Sequence, residues 1–132
     1  MEKMEITLAG EVAEFIFGPT NRIMFGDEGQ PGLEVGRNRK NGRIVAFMSY
    51  NLPYLYHRIL KGLSEKPVSG RFSVESVNDC GKVTPICDPR VKNASLPEIV
   101  QWVWEKYYAH LETMPEKEST AAGNPAGIAL QA

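Results

Sequence analysis

Residues 42–63 read GRIVAFMSYNLPYLYHRILKGL, and inside this stretch the apolar spacing changes from two to about 3.6. Ile44, Val45, Phe47 and Tyr50 carry the β-branched and aromatic bias of a strand. Leu52, Leu55, Tyr56, Ile59, Leu60 and Leu63 then recur at the spacing of one helix face. Asn51 has the side chain of a helix cap, Pro53 falls in the first turn where no backbone donor is missed, and Gly62 offers a C-terminal stop. The stretch predicts a strand ending at Asn51, followed by a short amphipathic helix.

Toward the amino terminus, residues 5–17 (EITLAGEVAEFIF) alternate in polarity. Read as one strand, Ile6, Leu8, Val12 and Ile16 share a face, and Glu5, Thr7, Glu11, Phe15 and Phe17 share the other. Gly10 then predicts a bend or bulge that lets one long strand serve both halves of a small barrel. A turn follows at residues 18–21, and short strand pieces at 22–25 and 32–35 flank an acidic loop. Residues 36–42 (GRNRKNG) form a basic turn whose Asn41-Gly42 pair favours a hairpin between the strands on either side.

Toward the carboxyl terminus, alternation over residues 68–75, a turn at 78–81 and a run over 82–87 predict two more strands, the last at an edge or interrupted by a bulge because of Pro85. Ser95 and Glu98 make a capping box ahead of an apolar stripe, which predicts an amphipathic helix over residues 96–114 closed by Pro115. Residues 1–115 are expected to form one domain. Residues 116–132 lack periodicity and are expected to be a disordered tail.

In the runs LAGEVAEFIFGP, GRIVAF and VSGRFSVES, with a helix between the third and fourth strands, the chain resembles the oligonucleotide/oligosaccharide-binding (OB) fold over residues 5–92. The resemblance rests on element order and on a Gly-X-Val in the first strand. It implies a mainly β protein, a five-stranded OB-like barrel in the order β-β-β-α-β-β with a C-terminal helix added. The same elements also suit a different five-stranded barrel, or an α+β sheet with two helices on one face.

The 132 residues carry a net charge of −1, which hides a partition. Residues 22–92 hold twelve basic and seven acidic side chains, a local charge of +5, and each flank carries −3. Basic side chains gathered in the body of a domain can build an anion-facing surface. No apolar run reaches the length of a membrane helix, and residues 1–11 lack the basic and apolar regions of a secretory signal, so a cytoplasmic protein is expected. Cys80 and Cys87 are too far apart for a CxxC pair, and His57 and His110 have no ligand neighbours in sequence. No metal or cofactor is expected.

No nucleophile elbow, phosphate loop or zinc-protease helix occurs, so the expectation is a non-catalytic binding protein. The first candidate ligand is single-stranded nucleic acid, with Arg37, Arg39, Lys40 and Arg43 following the phosphates and Phe15, Phe17 and Phe47 stacking on bases. If Ile44, Ala46 and Met48 point inward, Phe47 faces out beside Arg43. The opposite assignment buries Phe47 and leaves only the charges. The alternative is a protein-interaction module, an adaptor or inhibitor that uses the barrel surface or Trp102, Trp104 and Tyr108 on the C-terminal helix. Large aromatics on a docked helix are more often core.

Overall fold

The computed structural model describes residues 1–30, 32–65 and 68–112. Its first two strands correct the reading of residues 5–17 as one bent strand. Glu2–Ala9 (β1) and Val12–Ile16 (β2) form an antiparallel hairpin in which Ala9 pairs with Val12, leaving Gly10 and Glu11 as the loop. Gly10 has a φ of 62°, and positive φ at the first of two loop residues is the demand of a type II′ turn. The turn exchanges the faces that odd and even positions occupy. Ile6 lies opposite Phe15 and Leu8 opposite Ala13, so Phe15 joins the face of Ile6 and Leu8 while Val12 and Ile16 leave it.

Ile23–Gly26 (β3), Glu34–Asn38 (β4) and Ile44–Ser49 (β5) extend the sheet by antiparallel pairing, with β5 against β2. Phe72–Asp79 (β6) pairs parallel with β1, and Lys82–Pro85 (β7) folds back on β6. The seven strands form one sheet in the order β3-β4-β5-β2-β1-β6-β7. This overturns the expected five-stranded OB-like barrel. Closure requires the two edge strands to meet, whereas here β3 and β7 end an open mixed sheet with β1 inside it, held by β2 on one side and β6 on the other. The mainly β character with added helices stands.

Asn51 caps the first helix by accepting a hydrogen bond from the Tyr54 backbone N–H at 3.0 Å. Leu52–Tyr54 (α1) runs through π-helical turns at Leu55–Ile59 into Leu60–Glu65 (α2). The capping box opens Leu96–Tyr107 (α3): Ser95 N–H donates to Glu98 Oε1 at 2.8 Å, and Glu98 N–H donates to Ser95 Oγ at 3.4 Å. The expected single helix over 96–114 is interrupted at Tyr108, whose φ of −127° leaves the helical region before Ala109–Glu112 (α4). Residues 113–114 and the expected tail lie outside the described residues.

One core joins Met4, Ile6 and Leu8 of β1, Phe15 of β2, Phe47 of β5 and Val74 and Val77 of β6 with the helices. Leu52, Leu55 and Leu63 come from the first helical segment, and Leu96, Ile99, Val100, Trp102 and Val103 from α3. The opposite face of the sheet carries exposed Lys3 and Glu5 and partly exposed Glu14, Ile16 and Met48. Toward β3, Phe25 folds over that face so closely that a Cβ on Gly36 would lie 2.7 Å from its ring. Among the described residues no helix is long and apolar enough to cross a membrane.

Candidate functional site

The β4–β5 hairpin is fixed by its own asparagines. Asn38 Oδ1 accepts from the Lys40 N–H at 2.8 Å and Asn41 Oδ1 accepts from the Arg43 N–H at 3.0 Å, while Gly42 takes a φ of 75°. A further bond reaches outside the hairpin. The Arg39 N–H donates to the Arg22 carbonyl at 2.8 Å, and Arg22 itself holds a left-handed φ of 63°. A non-glycine residue in that region is uncommon, and here it delivers the Arg22 side chain to the hairpin tip.

Arg22, Arg39 and Lys40 together line a cleft of about 420 Å³, and among the described residues no acidic side chain lies in its wall. None of the three side chains has a hydrogen-bond or ion-pair partner among the described residues. All three are exposed.

The other two hairpin cations point elsewhere. Arg37 grips Glu28 with two bonds, Nε to Oε2 at 2.7 Å and Nη2 to Oε1 at 2.8 Å, and donates from Nη1 to the Gly42 carbonyl at 2.7 Å. The bonds from Arg37 hold the Glu28 carboxyl below the usual carboxylate range, and Glu28 in turn raises the guanidinium. With most of its donors used, Arg37 has little left for a phosphate. Arg43 is exposed and, with Arg37, borders a separate cavity beside Phe17, Phe47 and Phe72.

The aromatic half of the expected site is not at the surface. Phe15 is 0% exposed and Phe47 1%, because the β1–β2 turn brings Phe15 to the inner face and the register sets Phe47 directly opposite it. Neither can be sandwiched by a base. Phe17 is partly buried, its ring 5.3 Å from that of Phe47 and 4.9 Å from that of Phe72. Of the assignments weighed for β5, the one that buries Phe47 and leaves only the charges is observed. Arg22 was missed, since its only sequence signal is the turn-forming Thr20-Asn21 before it.

The helix aromatics of the alternative reading are mostly interior. Trp102 is 1% exposed and donates its indole N–H to Asp88 Oδ2 at 2.9 Å. Tyr108 is 7% exposed, and its hydroxyl donates to the Gly10 carbonyl at 2.6 Å, joining the C-terminal helix to the β1–β2 turn. Burial, then the charges of Asp79, Cys80 and Glu11, push its phenol up to about 12. Trp104 is partly exposed and stacks on Tyr56 at 4.1 Å, with His57 edge-on at 5.1 Å.

Cys80 and Cys87 are exposed free thiols. Among the described residues, no group of three or more His, Cys, Asp or Glu side chains converges. No protein-family model, curated protein or solved structure matches this chain.

Proposed function

We propose that this protein is a non-catalytic binder of single-stranded nucleic acid that holds the phosphate backbone at Arg22, Arg39 and Lys40. The observation that carries the reading is the acid-free cleft lined by these three unpaired cations. A phosphate oxygen entering it gains charge-assisted hydrogen bonds without first breaking an internal ion pair, as it would have to at Arg37. With Phe15 and Phe47 in the core, the contact is electrostatic and tolerant of base sequence.

The test is the affinity of a fluorescent mixed-sequence oligonucleotide measured against salt. Three neutralised phosphates give a slope of log affinity against log salt of about −2. The triple variant Arg22→Glu, Arg39→Glu, Lys40→Glu should lose binding and keep its melting temperature, since the three side chains are solvated. Undiminished binding by that variant, or no binding by the parent protein at low salt, refutes the reading.

A further inference from the structure

The inner face of the sheet is not wholly covered by the helices. Where β1 and β6 begin and β2 ends, a cavity of about 520 Å³ remains, within the range of small-molecule sites. Phe17, Ile44 and Val68, all partly exposed, give it apolar surface, and the buried rings of Phe47 and Phe72 back the Phe17 ring at 5.3 and 4.9 Å.

Four charged side chains border the cavity, and they are not equivalent. Arg37 and Glu28 neutralise each other through their paired bonds. Arg43 and Glu2 have no side-chain partner among the described residues. Arg43 immediately precedes β5 and Glu2 opens β1, and β2 lies between those strands. Two strand spacings, about 10 Å, therefore separate their backbones, so the mouth is positive on the β5 side and negative on the β1 side.

We infer that the cavity binds a small apolar, ring-bearing carboxylate, its body against the accessible edges of Phe17, Ile44 and Val68 and its carboxylate on the Arg43 guanidinium. Glu2 repels the anionic group from the β1 side and so sets the orientation of the ligand. This site is independent of the Arg22–Arg39–Lys40 cleft, which shares no lining residue with it.

The experiment titrates 3-phenylpropionate, 3-phenylpropanol and 2-phenylethylammonium into the isotope-labelled full chain and follows the amide signals of Val68, Ser69, Gly70 and Phe72. The expected result is saturable shifts with the carboxylate, binding at least about tenfold tighter than the ammonium probe. Arg43→Gln should weaken the carboxylate by about tenfold and leave the alcohol unchanged, while Arg39→Glu changes neither. Equal binding of the three probes, indifference of the carboxylate to Arg43→Gln, or no saturable shift at millimolar probe would overturn the inference.

Discussion

Replacing Tyr108 by Phe removes one oxygen from the bond that ties the C-terminal helix to the Gly10 carbonyl at 2.6 Å. At about pH 8 the variant should be less stable by roughly 1 kcal/mol, the net worth of one hydrogen bond. Alkaline pH should reverse the order. The folded-state phenol lies at about 12 against an ordinary 10, so its contribution is fully present below the lower value and is lost as pH rises toward the higher one. At about 1.4 kcal/mol per unit, the wild type forfeits some 2 to 3 kcal/mol across that window, a loss the Tyr108→Phe variant cannot suffer. The two stability curves should cross near pH 11. Urea unfolding followed by far-ultraviolet circular dichroism at a series of pH values measures both curves without interference from tyrosine ionisation. A constant gap between the proteins up to about pH 11.5 would refute the burial argument for this phenol.

Three further substitutions probe packing and acid stability. A Cβ on Gly18 would sit 2.6 Å from Val45 Cγ1 and 3.3 Å from the Val45 Cα, so Gly18→Ala should cost about 1 to 3 kcal/mol, whereas Gly26→Ala, with nothing within 4 Å, should stay within about 0.5 kcal/mol by urea unfolding. The Asp88 carboxyl is held below its usual range first by the Arg90 backbone N–H and then by the Trp102 indole; its stabilisation is present above the unfolded value of 3.8 and lost as pH falls through the lower folded one. Asp88→Asn should therefore flatten the acid limb of the stability curve, and acid-unfolding curves that remain parallel would contradict this.

Elements specified by neighbouring residues were legible in the sequence. The Ser95–Glu98 box, the Asn51 cap and the β4–β5 hairpin all appear where local chemistry put them. The β1–β2 hairpin was misread for an identifiable reason. Core positions are even in β1 (4, 6 and 8) and odd afterwards (13 and 15), and an exchange of parity across a glycine is what a two-residue loop produces. Reading residues 5–17 as one strand instead set Phe15 beside Glu5 and Thr7, a conflict that argued for the turn. The parallel pairing of β1 with β6 has no local signal, because it depends on which strands meet after the helices have crossed the sheet. The basic hairpin was visible as charge, but its division between two places was not. The Arg37 side chain is claimed by Glu28, and the Arg39 backbone N–H brings Arg22 beside the free Arg39 side chain, through contacts that span 9 and 17 residues.

The position of β1 has a consequence for how the chain acquires this structure. Its hairpin with β2 is available as soon as both strands have been made, but Met4 waits for Val74 and Ile6 for Val77. During synthesis a nascent chain can assemble β1 to β5 while one side of β1 still presents its unpaired N–H and C=O groups, a template for another polypeptide. Parallel pairing over so long a separation carries a large loop-closure cost before any contact rewards it, so it belongs among the late, slow events of folding. The interval before β6 arrives is thus the time at which this protein is most exposed to intermolecular strand exchange and to capture by chaperones.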